Sequence, residues 1–288
     1  MKRNPVFVIL GILAGLNILA WITLYDLSRP QPLEITFFNV GQGDAIFIET
    51  PQRHQILIDG GPDDTVIEKL GKEMPFYDRT LDLIVLTHPE HDHLSGLIEV
   101  LKRYEVENIL WTGILRDSAE YREWKELIQK EAANIYIAKA GQCVIPDVTQ
   151  LCVLYPFESL EGREFKDSNN TSIVARLVFG KVSFLFTGDA YKSVEIELLG
   201  LAEQLDSDVL KVGHHGSKTS TALEFVEAVS PEIAVISVGQ DNKYGHPHPE
   251  TLQNLKGIAV LRTDFDGDIK IISDGIELST FLKSGIYK

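Results

Sequence analysis

Thr87-His88-Pro89-Glu90-His91-Asp92-His93 is the stretch that decides how this chain is read. It follows residues 81–87, a near-continuous apolar run of the kind a fully buried strand carries. Behind it, residues 93–104 place Leu94, Leu97, Ile98 and Leu101 on one helical face. Residues 108–111 return as a strand. The ligand-type side chains therefore sit on the loop of a β-α-β unit, where a buried strand hands over to a helix.

Working outward, residues 33–40, 45–49 and 55–59 predict an antiparallel meander, and residues 118–132 an amphipathic helix. The second half has a hairpin at 172–179 and 182–187 and a helix at 191–201. It continues as a strand at 208–212, a helix at 221–228, a strand at 233–238 and a helix at 249–255. Strands at 258–262, 269–273 and 277–282 close the chain. Strands first, then alternating strands and helices, in two similar halves, predict an α/β chain of two packed sheets with helices outside. No linker divides residues 31–288, which read as one domain.

The other candidate residues also follow predicted strands. Asp59 precedes Gly60-Gly61, Asp189 stands in Thr187-Gly188-Asp189, and His214-His215-Gly216-Ser217 follows 208–212. His246-Pro247-His248 follows 233–238 after a short loop. Seven of the eight histidines fall in three of these clusters. Strand ends on one sheet edge converge in space, and imidazole with carboxylate binds divalent transition metals. Residues alone thus point to a dinuclear metal hydrolase, a carboxylate bridging two ions about 3.5–4 Å apart.

The motifs resemble the metallo-β-lactamase superfamily, whose second motif reads His-x-His-x-Asp-His. Here His88-Pro89-Glu90-His91-Asp92-His93 puts Glu90 where the second histidine is expected and His91 on a variable position. An acidic residue there resembles the extracellular domain of ComEC-type DNA-uptake channel proteins. Val40-Gly41-Gln42-Gly43-Asp44-Ala45, Leu57-Ile58-Asp59-Gly60-Gly61, Asn169-Asn170-Thr171-Ser172, Leu210-Lys211-Val212-Gly213-His214-His215-Gly216-Ser217 and Tyr244-Gly245-His246-Pro247-His248-Pro249 are similar to that branch as well. The resemblance spans residues 33 to about 282. It implies an αββα four-layer sandwich and two divalent ions, Zn²⁺ or Mn²⁺. It further implies hydrolysis of a phosphodiester, DNA foremost, by a metal-bound hydroxide. ComEC-type proteins carry many membrane helices, whereas this chain has a single apolar span, so transport does not carry over.

By the same resemblance, His88 and Glu90 hold one ion, Asp92 and His93 the other, and Asp189 bridges. Either His214 or His215 completes the second ion. Asp92 and His246 take part in the chemistry, His246 by contacting phosphate or donating a proton. Asp44 and Asp59 are expected to orient ligands, and His248 to be structural. Ser217, and Asn169 or Asn170, stand beside the site. Lys211, Lys218, Lys243 and Arg262 flank these motifs and are candidates for phosphate contact. Asp189 as a cap for the helix near Tyr191, and Ser217 as a helix cap, are the structural alternatives. In function, another small ester and a non-catalytic DNA-uptake or assembly module with a degenerate site are the rivals.

Composition sets the outer limits. The 288 residues carry 27 Lys+Arg against 42 Asp+Glu, a net charge of −15, which excludes a passive DNA coat with a basic footprint. Residues 1–30 form a separate segment. Lys2 and Arg3 precede an uncharged stretch, 6–25, long enough to span a bilayer, and Arg29-Pro30-Gln31-Pro32 reads as a stiff linker. The positive-inside rule places the remainder outside the cytoplasm, single-pass at the cell membrane, with a separate DNA-uptake channel protein as a conceivable partner. A cleaved signal peptide, hence secretion, and a buried helix are the alternatives. Cys143 and Cys152 are expected as buried free thiols, one disulfide being the other possibility.

Overall fold

The structure is a computed structural model that describes residues 5–28, 31–282 and 285–287. The chain divides into two units, residues 1–31 and 32–288. In the first, Pro5–Ser28 is one helix, and residues 5–25 are all exposed. At about 1.5 Å per residue, its 21-residue apolar part Pro5–Tyr25 reaches roughly the 30 Å of a hydrocarbon core. Lys2 and Arg3, and Arg29 and Pro30 of the expected linker, lie outside the described residues.

The second unit is built on two sheets. At the centre of the nine-stranded sheet, Leu33–Phe37, Ile46–Glu49 and Gln55–Ile58 form the expected antiparallel meander. Leu83–Leu86, Asn108–Trp111 and Asn134–Ile137 extend it in parallel on one side. Ile269–Ser273, Leu278–Leu282 and Gly285–Tyr287 extend it antiparallel on the other. The seven-stranded sheet pairs Val182–Phe186, Val209–Lys211, Ile233–Ile236 and Ala259–Arg262 in parallel. Val174–Phe179, Thr149–Tyr155 and Cys143–Val144 complete it antiparallel.

Period-two alternation makes this a four-layer molecule. Ile46, Ile48, Ile56, Ile58, Leu83 and Val85 point between the sheets, where they meet Leu177, Phe184, Phe186 and Val209 of the second sheet. Their neighbours Phe47, Leu57 and Ile84 point outward and pack with Leu94, Leu97 and Trp124 of the outer helices. Leu185 and Leu210 do the same under Val194, Leu198 and Phe225. The αββα expectation is met.

Several elements escaped the sequence pattern, among them the helix Thr65–Glu73 and the strands Asn134–Ile137, Cys143–Val144 and Thr149–Tyr155. The last corrects the expectation for the cysteines. Cys152 lies directly opposite Cys143 across the antiparallel pair Thr149–Tyr155 and Cys143–Val144, and the two form a disulfide at the sheet edge. They are not buried thiols: Cys143 is exposed.

The helix expected at 93–104 is His91–Leu101, starting two residues earlier, so Asp92 and His93 lie in its first turn. Its approach to the Asp59 loop depends on two glycines. A Cβ on Gly96 would stand 1.8 Å from the Gly60 carbonyl oxygen. Gly60 N–H donates to His93 O at 2.8 Å and Gly96 N–H to Gly61 O at 3.0 Å. Alanine is favoured over glycine in a helix by about 1 kcal/mol, but a backbone collision outweighs that preference. Gly96→Ala is therefore expected to destabilise the fold by about 1–3 kcal/mol. A urea melt with an unchanged or raised midpoint would contradict this packing.

Candidate metal centre

The site lies at the C-terminal ends of the parallel strands, where open α/β sheets place their ligands. Asp59 follows Gln55–Ile58, His88 to His93 follow Leu83–Leu86, Asp189 follows Val182–Phe186, and His214 and His215 follow Val209–Lys211. Three of these residues sit in the left-handed region: Asp59 at φ 57°, His214 at φ 48° and His215 at φ 54°. For non-glycine residues that conformation costs on the order of 1–2 kcal/mol each and concentrates at functional sites. The Gly41–Asp44 segment closes over the cluster. Asp44 N–H donates to Asp92 O at 3.2 Å, and a Cβ on Gly43 would stand 2.4 Å from that oxygen.

Each of three buried histidines has its Nδ1 committed. Asp59 accepts from Thr87 N and Thr87 Oγ1 at 2.8 and 2.7 Å, and from His93 Nδ1 at 2.8 Å. Because the Thr87 hydroxyl donates to Asp59, it accepts from His88 Nδ1 at 3.0 Å. His215 Nδ1 donates to Ser237 O at 3.0 Å. In all three rings Nε2 is buried without a hydrogen-bond partner, as are Asp189 Oδ1 and Asp44 Oδ1. Orienting Nδ1 and leaving Nε2 open is how metal-ligating histidines are prepared.

Asp92, His93, Asp189 and His215 bring one ligand atom each to within 4.8 Å of one another. His215 Nε2 lies 3.2 Å from Asp92 Oδ2 and 3.4 Å from Asp189 Oδ2, and His93 Nε2 is 3.4 Å from the same Asp189 oxygen. His214 Nε2 is farther from it, at 3.8 Å, and faces Asn169 Nδ2 at 3.3 Å. Of the adjacent pair, His215 is the ring brought to the cluster. These borderline nitrogens and hard carboxylate oxygens suit a divalent cation such as Zn²⁺ or Mn²⁺. A cleft of about 180 Å³ opens over them, walled by His214 and His246.

The groups assigned to the other ion are less assembled. His88 is fully buried with its Nε2 open. Glu90 Oε1 accepts from Arg116 Nη2 at 2.5 Å and from Ser168 Oγ. Sequence reading missed both partners, since Arg116 and Ser168 lie in stretches without a motif. Asn170 is turned away, its Oδ1 accepting from Tyr191 N and Ser193 Oγ at the start of the helix Lys192–Leu198. That helix has no side-chain cap from Asp189. His248 caps Pro249–Asn254 by accepting from Glu250 N–H. Ser217 caps no helix; its Oγ bonds Thr219 Oγ1, which in turn meets His214 Nδ1 at 3.0 Å.

Lys211 is corrected. It is no phosphate contact: its Nζ is fully buried and ion-paired with Asp44, and it donates to Gly188 O. The side chain points into the protein because the strand Val209–Lys211 is buried along its whole length. Arg262 is engaged by Asp264 through Nε and Nη2 at 3.0 and 2.6 Å. Lys218 and Lys243 are exposed.

Burial opposes charge on every group here, yet the outcomes diverge. His93 and His215 are raised well above the ordinary imidazole value, because Asp189, with Asp59 beside His93 and Asp44 beside His215, outweighs burial. Asp189 is lowered well below the usual carboxylate range by the same two rings, against its burial. Asp92 is lowered too, against its burial, chiefly by the His215 ring whose Nε2 lies 3.2 Å away. Burial drives His88 down to about 3, with the His93 charge adding to it. His246 is half-buried and pushed down to about 4, by burial first and His214 second. Its ring is therefore neutral at pH 7, which favours donating a hydrogen bond through an N–H over delivering a proton as imidazolium.

Residues 38–240 match the family described as the Metallo-beta-lactamase superfamily. The chain belongs to that superfamily, and its fold is that of metal-dependent hydrolases. Among curated relatives it is 34% identical over 256 residues to ComE operon protein 3 of Bacillus subtilis, covering 82% of this chain and 32% of the relative. It is 33% identical over 273 residues to Competence protein ComA of Neisseria gonorrhoeae, covering 89% of this chain and 36% of the relative. The chain thus resembles the ComEC-like branch and spans about a third of these relatives' length. Among solved structures, the metallo-beta-lactamase fold protein YhfI of Bacillus subtilis aligns with a TM-score of 0.56 at 14% identity, covering 81% of this chain and 96% of YhfI.

Two outcomes follow from the charge states. His93 and His215 carry protons at neutral pH that a cation must displace, so binding should release about two protons and tighten as pH rises. Calorimetry of Mn²⁺ or Zn²⁺ binding in buffers of different ionisation enthalpy reads this directly, and a pH-independent affinity would contradict it. Removing the ring orienter in Asp59→Asn should weaken that affinity about 10- to 100-fold. An unchanged dissociation constant would show that the Asp59–His93 bond does not prepare the ligand.

Proposed function

We propose that the chain is a membrane-anchored, extracytoplasmic, metal-dependent hydrolase of phosphodiesters, nucleic acid foremost. The observation that carries this reading is the convergence of Asp92, His93, Asp189 and His215 with their donor atoms open at the floor of a cleft. The competence names of the relatives support nucleic acid over other esters. The exposed apolar helix Pro5–Ser28 supports anchoring, and the disulfide Cys143–Cys152 supports a compartment outside the reducing cytosol. A separate DNA-uptake channel protein is the partner this placement suggests.

Asp92, His93, Asp189 and His215 would hold one divalent ion, and His88 and Glu90 with Asp189 would hold a second. When bound, such ions supply Lewis-acid polarisation of a phosphoryl oxygen and make nearby water more acidic. The chain's own groups do the rest. Asp59 and Ser237 keep the His93 and His215 rings in the ligating orientation. Asp92, in the first turn of His91–Leu101, faces the cleft and can orient an attacking water. Neutral His246, stacked against Tyr244 and edge-on to His214, offers an N–H to a phosphoryl oxygen. Arg116 and Ser168 fix the direction of the Glu90 carboxylate.

The test is hydrolysis of an activated phosphodiester and of labelled DNA by the full chain in detergent, with Mn²⁺ or Zn²⁺ and with chelator. Cleavage should require the metal, and Asp189→Ala should lower kcat/KM at least ~10²-fold. Bound metal without turnover of any phosphodiester would favour the assembly-module reading. Turnover that survives Asp189→Ala would refute the assignment of that carboxylate.

A further inference from the structure

Tyr244 stacks on His246 at the edge of the cleft and is held out towards solvent. It is 60% exposed at the rim of the polar cleft over the cluster. The loop that carries it is braced from within. Asn242 Nδ2 donates to Gly239 O at 3.0 Å and to His246 O at 2.7 Å, while its Oδ1 accepts from His246 N at 2.9 Å. Gly239 N–H donates to Gln42 Oε1 at 3.2 Å, tying the loop to the segment that covers the cluster. An exposed aromatic on a loop fixed by side-chain bonds is pre-organised, so a ligand that lands on it costs little ordering entropy.

The ring is also the outer member of a series. Tyr244 stacks on His246 at 5.7 Å and 25°, His246 meets His214 edge-on at 5.7 Å, and His214 stacks on Tyr191 at 5.3 Å. This wall of rings borders the cleft on one side. From the cleft a groove of about 570 Å³ runs on past Tyr244, lined by Gln42, Pro62, Asn242 and Lys243. That volume is in the range of sites that hold small organic ligands, about 300–1,000 Å³. Lys243 Nζ lies over the Tyr244 ring, 5.3 Å from its centroid, and is exposed, so a base that stacks there displaces the ammonium towards the adjoining phosphate.

The charge balance decides what fits. Asp63, Glu90 and Asp92 also line the groove, and the chain as a whole carries −15. A duplex, with its dense phosphate charge, would need a basic footprint that this groove does not offer. A single strand can instead gain affinity by stacking, which is independent of charge and of sequence. We propose that Tyr244 is a base-stacking platform for a single-stranded nucleic acid, with Lys243 beside the adjoining phosphate and the scissile phosphate over the Asp92–His93–Asp189–His215 cluster. This rests on the phosphodiester reading and narrows it to unpaired strands.

The test is equilibrium binding of a fluorescent, phosphorothioate-linked oligothymidylate, which resists cleavage, to the full chain in detergent with Mn²⁺. Tyr244→Ala should raise the dissociation constant about tenfold, the loss of one base–aromatic stack, while Tyr244→Trp stays near wild type. A duplex of matched length should bind more weakly than the single strand. Because the side chain is exposed, a thermal melt of both variants should match wild type, which separates loss of stacking from loss of fold. Equal affinity of Tyr244→Ala and wild type, or a duplex bound as tightly as the single strand, overturns the proposal. A wild-type chain that binds the strand through Tyr244 yet hydrolyses no phosphodiester would refute the catalytic reading and leave the platform standing.

Discussion

The buried carboxylate of Asp59 is the constraint on which the site depends. It accepts from the Thr87 backbone, the Thr87 hydroxyl and His93 Nδ1, and through Thr87 it also sets the His88 ring. One acidic side chain with no exposure thus joins the end of one strand to the end of its neighbour and to the helix that starts at His91. Burial raises its pKa, and His93 and the Thr87 N–H pull against that rise by stabilising the carboxylate. Remove them and a buried anion is stranded; remove the anion and two imidazoles lose their direction.

The same arrangement explains why the glycines around it are fixed by space. The helix His91–Leu101 must lie close enough to the Asp59 loop for Gly60 N–H to reach His93 O, and Gly96 meets Gly60 with no room for a methyl group. Packing of the outer layer and orientation of the ligands are therefore one problem. Leu94 and Leu97 seal the helix against the sheet, and the same helix delivers Asp92 and His93 to its edge.

Much of this was legible in the sequence because it is periodic or clustered. The strand–ligand loop–helix unit, the hairpin at Val174–Phe179 and Val182–Phe186, and the positions of Asp59, Asp189 and the histidine pair all show in spacing. What was not legible depends on register and direction. The cysteines pair because Thr149–Tyr155 is a strand whose pattern is too polar at its start to announce itself. Lys211 ends a strand like a substrate-facing residue, but its alternate side faces Asp44. His214 and His215 are consecutive left-handed residues of the short segment Gly213–Gly216, and which ring turns inward is something no spacing rule can state. Arg116 and Ser168 reach Glu90 from separate loops.

The measurement that bears most directly on the central claim is anomalous diffraction from crystals of the chain grown with Mn²⁺. The account predicts an ion peak enclosed by Asp92, His93, Asp189 and His215, with both His93 and His215 ligating through Nε2. An ion bound elsewhere, or His214 in place of His215 at that peak, would contradict it.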